Sequence, residues 1–260
     1  MKSVILLLIV FGVSEQGKTQ SLIGNLNGSL TNGLIGYYPL NGSAQNLFGN
    51  DGVNYGAVPV NDRFENPTGA MLFNGTSNYI DCGSLIQGYE NATLSVWALV
   101  DPACQSEAGI VAKPRFSWGT GLEIRANFGA YPAALGFNNW LDNFVLFESG
   151  PVRSNSVWRN YTVTTDGQKA VFYIDGFKVS EEAFTIQNTS SSYSVVIGAG
   201  TTGSFSPSNY VFFKGSIDDV LVYDRALTSS EVAQLVPEPS ALSLLAVGLG
   251  GLAMIRRRRS

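Results

Sequence analysis

Histidine is absent from this chain of 260 residues. Without an imidazole there is no Ser-His-Asp triad, no Cys-His dyad and no His-ligated zinc site. The carboxylates are scattered. Glu181 and Glu182 are adjacent, so an extended strand would point them to opposite faces, and a solvated turn is their expected place. Glu123 falls in a segment of strand character, but the positions that would share its face are Arg125 and Asn127. No paired acids stand ready for general acid–base work, and the chain is expected not to be an enzyme. Aromatic and amide side chains do gather. Trp118 is followed by Asn138, Asn139, Trp140, Asp142 and Asn143. Flat apolar faces beside hydrogen-bonding groups suit a sugar ring, so Trp118, Asn138, Trp140 and Asp142 are the candidate ligand-binding residues. The alternative is that these tryptophans pack beneath their own loops. Trp97 and Trp158, inside strand-like segments, are expected in the core.

The scaffold for such residues is β. From about residue 33 to residue 235, short apolar and β-branched segments alternate with Gly, Asn, Asp and Pro. Residues 93–100, 158–163 and 170–174 read as strands. Asp175-Gly176 separates two of them and supplies the two positive-φ residues of a type I′ hairpin turn. One short helix is expected near the end, where Thr228 and Glu231 form a capping box ahead of Val232 and Leu235. Many short strands at close spacing predict an antiparallel sandwich or barrel. Cys82 and Cys104 are compatible with one disulfide or with two unpaired thiols.

The two ends read as addresses. Lys2 precedes an apolar run at 4–13 and small residues at 12–14, the layout of a signal peptide assigned to residues 1–20. At the other end, Pro237-Glu238-Pro239 leads into an apolar run at 241–255, a short membrane helix, and then four arginines, 256–259. Prolines keep the approach extended and accessible, and the arginines stay on the cytoplasmic side. This tail, residues 236–260, resembles the PEP-CTERM sorting signal. The resemblance implies recognition by an exosortase-type enzyme at Pro237, Glu238 and Pro239. It also implies a Gram-negative host that often makes extracellular polysaccharide, and delivery to the envelope, outer surface or matrix. Losing Lys2 and the four arginines takes the net charge from −4 to −9, or to −8 if Glu238 also leaves. An acidic surface repels phosphate backbones, so nucleic acid is not an expected partner.

The order of segments within residues 33–235 resembles the laminin-G-like, concanavalin A-like jelly rolls of the LamG_3 type. The segments that carry the resemblance are Gly36-Tyr37-Tyr38-Pro39-Leu40-Asn41-Gly42, Asn50-Asp51-Gly52, Ala70-Met71-Leu72-Phe73-Asn74-Gly75, Asn78-Tyr79-Ile80-Asp81, Tyr173-Ile174-Asp175-Gly176 and Ile217-Asp218-Asp219-Val220. The fold implied is an all-β, two-sheet antiparallel jelly-roll sandwich with one short C-terminal helix. A common strand signature among enzymes that share this sandwich, Glu-x-Asp-x-x-Glu, is missing here. The resemblance also implies a structural calcium ion tying the opening segment to the closing strand. Asn41, Asp51 and Asp218 are its candidate ligands, since calcium takes six to eight oxygens. Asp218 is expected to share a face with Val220 and Val222 and to point inward, Asp219 outward. Asn46 stands where the family often has Asp, and Leu221 where Arg is common. The function expected is a noncatalytic surface module binding an extracellular polysaccharide or a surface protein. The rivals are a glycoside hydrolase or lyase of the same fold and a purely structural matrix protein.

Overall fold

The computed structural model describes residues 28–86, 91–114, 121–126, 134–139, 143–148, 157–183, 192–201 and 206–236. The expected signal peptide, the Pro237-Glu238-Pro239 motif and the apolar run after it lie outside these residues. Among the described residues, no helix is long and apolar enough to cross a membrane.

Alternation of apolar and polar residues builds the strands in chain order. The first seven are β1 (Leu34–Tyr38), β2 (Val53–Tyr55), β3 (Val58–Val60), β4 (Ala70–Asn74), β5 (Tyr79–Asp81), β6 (Ala92–Val100) and β7 (Ala108–Pro114). Next come β8 (Gly121–Ala126), β9 (Ala134–Asn139), β10 (Asn143–Glu148), β11 (Arg159–Thr165), β12 (Lys169–Ile174) and β13 (Phe177–Ala183). The last are β14 (Val196–Ile197), β15 (Ala199–Thr201), β16 (Tyr210–Phe212) and β17 (Lys214–Tyr223), followed by helix α1 (Ser229–Gln234). One sheet runs β13-β12-β11-β6-β17-β4-β3, with β1 also paired to β17. The other runs β10-β9-β8-β7-β14-β5-β2, and β15 pairs β16 in a separate ribbon.

The two sheets bury one core between them. Leu94, Val96 and Ala98 of β6, Phe172 of β12 and Val220 and Val222 of β17 meet Ile80, Val111, Leu122, Ile124 and Ile197 from the facing sheet. The residues between them point the other way. Trp97, Val171, Tyr173, Leu221 and Tyr223 form a second cluster on the outer face of the first sheet, beneath Val232 and Leu235 at α1. Trp97 is buried there and Trp158 packs against the same cluster. The capping box is formed: Thr228 Oγ1 accepts from Glu231 N, and Thr228 N donates to Glu231 Oε2 at 2.8 Å. Asp175 and Gly176 have φ of 49° and 78°, as the hairpin turn requires.

One local expectation changes, and one open alternative is resolved. Glu181 and Glu182 lie within β13, an edge strand exposed along most of its length, rather than in a turn. Glu181 pairs with Lys169 at 3.2 Å and Lys178 at 3.3 Å. Cys82 and Cys104 are separate buried thiols. Burial pushes both thiols up, away from the reactive thiolate.

Candidate functional site

Asn138 is placed in β9, where its backbone lies opposite Phe144 of β10 and Gly121 of β8. Gly121 opens β8 and Asn138 is the next-to-last residue of β9. The β7–β8 connection is 115–120 and the β9–β10 connection is 140–142. Trp118, Trp140 and Asp142 belong to those connections and lie outside the described residues.

On β8 itself, Leu122, Ile124 and Ala126 enter the core, so Glu123 and Arg125 face outward from the sandwich. They are nonetheless 1% and 2% exposed. Arg125 Nε donates to Glu123 Oε2, and Glu107 Oε2 lies 3.6 Å from the same guanidinium. The β15–β16 ribbon lies across them: a Cβ added to Gly109 would sit 2.2 Å from Gly200 N, and one on Gly200 would be 3.6 Å from Glu123 Oε2. Burial raises the Glu123 pKa and Arg125 opposes that rise. A carboxylate held under a ribbon and bonded to arginine has no room for a glycosidic bond, whatever its proton affinity.

The acids of the closing strand are arranged differently from expectation. In β17, Asp218 lies opposite Trp97 of β6 and Leu221 opposite Ser95, so three steps on one strand match two on the other. This β-bulge, with Asp219 at φ 45°, turns Asp218 and Asp219 together onto the outer face, while Ile217 and Val220 both stay inside. Asp218 thus does not share the face of Val220 and Val222. Both carboxylates meet Arg63, which is contributed by the loop between β3 and β4. Arg63 Nη1 donates to Asp218 Oδ2 and Arg63 Nη2 to Asp219 Oδ2 at 2.7 Å. Tyr37 donates its hydroxyl to Asp219 Oδ1 at 2.5 Å. The guanidinium lies 4.5 Å from the Trp97 ring centroid and 4.6 Å from that of Phe64.

This arrangement does not fit the expected calcium set. Arg63 occupies the Asp218 carboxylate and puts positive charge where a dication would have to sit. Asp51 is exposed and accepts from Asn46 N at 2.9 Å, and Asn41 is exposed. Among the described residues, no group of three or more His, Cys, Asp or Glu is placed to hold a metal ion. The buried Asn46, where the family often has Asp, does neutral work: its Oδ1 accepts from Tyr37 N and Phe48 N, each at 3.0 Å. Arg63 carried no signal in the sequence, because its partners are 155 and 156 positions away.

A cleft of about 460 Å³ opens on the outer face of the first sheet, lined by Asp166, Lys169, Tyr173, Lys178, Glu181 and Ser229 among others. Its charges answer one another, Lys169 and Lys178 on Glu181, and Tyr173 Oη lies 3.1 Å from Ser229 Oγ.

Comparison with known proteins fits this geometry. Residues 74–233 match the model of the concanavalin A-like lectin/glucanases superfamily. Residues 235–259 match the PEP-CTERM protein-sorting motif, which implies exosortase-type processing and export to the cell envelope or surface. No curated protein sequence matches the chain. Domain 4 of AbnA, a GH43 extracellular arabinanase from Geobacillus stearothermophilus solved in complex with arabinotriose, is 17% identical with a TM-score of 0.61; the match covers 78% of this chain and 98% of that one. The binding domain of Paraclostridial Mosquitocidal Protein 1 is 18% identical with a TM-score of 0.56, covering 78% of this chain and 52% of that one. The receptor binding domain of botulinum neurotoxin C/D mosaic serotype is 14% identical with a TM-score of 0.56, covering 77% and 50%. The chain therefore spans about half the length of those two toxin domains. At such identities the likeness is one of fold.

Proposed function

The chain belongs to the concanavalin A-like lectin/glucanases superfamily, and from that premise we infer that it is a noncatalytic carbohydrate-binding module carried to the cell envelope or surface by its C-terminal sorting motif. The observation that carries this reading is the family match over residues 74–233, a stretch in which Trp118 and Trp140 stand among amide and carboxylate residues in the sequence. Two tryptophans with amide and carboxylate neighbours offer stacking faces and hydrogen-bonding partners to a sugar. A domain of similar fold solved with arabinotriose supports a saccharide as the ligand class. The burial of Glu123 against Arg125 speaks against the hydrolase alternative.

The test is a glycan array probed with the full-length protein and with Trp118→Ala and Trp140→Ala variants. Binding to at least one polysaccharide, weakened by either substitution, is the expected result. An array silent for the wild-type protein contradicts the reading.

A further inference from the structure

At the edge of the second sheet away from β9 and β10, β2 pairs with β5 and sets Tyr55 opposite Tyr79 and Val53 opposite Asp81. Ile80 points into the core, so Tyr79 and Asp81 face outward, and Tyr55 and Val53 share that face. The Tyr55 and Tyr79 rings are stacked, with centroids 4.4 Å apart and planes 10° from parallel. Tyr210, from the β15–β16 ribbon, meets Tyr79 edge-on at 5.2 Å and 88°, and Phe212 lies 5.9 Å from Tyr210. Tyr79 is thus held from both sides. Tyr55 has one ring face against Tyr79 and still keeps 46% of its surface exposed, so its other face is turned to solvent.

We propose that Tyr55, Tyr79 and Tyr210 form a second saccharide-binding site, selective for uncharged glycans, with Tyr55 as the stacking platform. The proposal rests on the binding-module reading above. Three observations define its ligand. A rigid, preformed aromatic stack presents a flat face at little entropic cost, as the C–H face of a pyranose or furanose requires. The phenols supply hydroxyl donors beside the Asp81 acceptor, and burial together with neighbouring groups raises the pKa of both Tyr79 and Tyr210, keeping them protonated. Asp81, two residues from Tyr79 on the same outward face, places a negative charge beside the stack, which repels an anionic glycan or a phosphate. A protein partner is disfavoured by size. Among the described residues of this face, Val53 and Tyr55 are the large apolar side chains left exposed, 56% and 46%, far fewer than the roughly 20–30 residues a side that a stable protein interface uses. Four strand spacings, roughly 19 Å, separate β5 from β9, so substitutions on these two strands are expected to act independently.

Affinity electrophoresis of the full-length protein through gels containing arabinan, xylan or a neutral β-glucan tests this, with alginate as the anionic control. The expected result is retardation by at least one neutral polysaccharide and none by alginate. Tyr55→Ala should lower the affinity about tenfold, while losing its stacking on Tyr79 lowers the melting temperature by only about 2–4 °C. Tyr55→Leu, which keeps apolar bulk but no flat ring, carries the same expectation should Tyr55→Ala fail to fold. Unchanged retardation of both variants overturns the site, as does retardation of the wild type by alginate alone. If Trp118→Ala abolishes binding while Tyr55→Ala leaves it intact, this site falls and the binding-module reading stands. A wild-type protein retarded by no polysaccharide removes both.

Discussion

Replacing Arg63 with Met should destabilise the protein by an amount that grows with pH. Arg63 is 5% exposed at its side chain and neutralises two adjacent carboxylates that are as deeply buried. One guanidinium cannot balance two full negative charges, so burial first, and the charge of Asp219 second, push Asp218 up to about 9. Burial likewise raises Asp219, against Arg63 and the Tyr37 hydroxyl. An unfolded aspartate titrates near about 4. A folded pKa above the unfolded one gives stability that is complete below about pH 4 and lost as pH rises toward about 9. In Arg63→Met both acids lose the cation that held them down, and the slope steepens. Near about pH 7.5 the variant should be about 3–5 kcal/mol less stable than wild type, the cost of stranding a buried charge. Near about pH 4.5 the deficit should shrink to about 1–2 kcal/mol, the cation–π contacts with Trp97 and Phe64. Urea titrations of both full-length proteins at the two pH values measure the difference. Equal deficits at both would refute the claim that Arg63 serves chiefly to neutralise Asp218 and Asp219.

Two further outcomes follow from the ion pairs. Glu231 is held down to about 2, first by its hydrogen bond to Arg225. A depressed folded pKa gives stability that is present above about pH 4.3 and lost as pH falls toward about 2. Glu231→Gln should therefore cost about 1–2 kcal/mol at neutral pH and flatten the acid limb of an unfolding-versus-pH curve. Glu123→Gln should cost about 3 kcal/mol in urea unfolding, because it leaves Arg125 charged and buried, while polysaccharide binding stays at the wild-type level.

The features legible in the sequence are those whose partners lie within a few residues. The capping box spans Thr228 to Glu231 and the hairpin turns on Asp175-Gly176, so local chemistry alone specifies both. The β-sandwich was legible through the order of its strands. The bulge at Asp218 and Asp219 was not, because it exists only in the register between β17 and β6. A simple two-residue alternation accordingly assigned those acids to opposite faces and left Asp218 in search of a metal. Arg125 stands two residues from Glu123 on one strand face, a spacing that puts a counter-ion, not a second acid, beside that carboxylate. The tyrosine group draws on β2, β5 and β16, so only the assembled sheets bring Tyr55 and Tyr210 to the same side chain.

Binding without cleavage is the centre of this account. Incubating the purified full-length protein with a polysaccharide that it retains, and counting reducing ends over time, tests both halves at once. The account predicts retained polysaccharide with reducing ends at the level of a protein-free control. Reducing ends that accumulate in proportion to protein, and stop accumulating in Glu123→Gln, would contradict it.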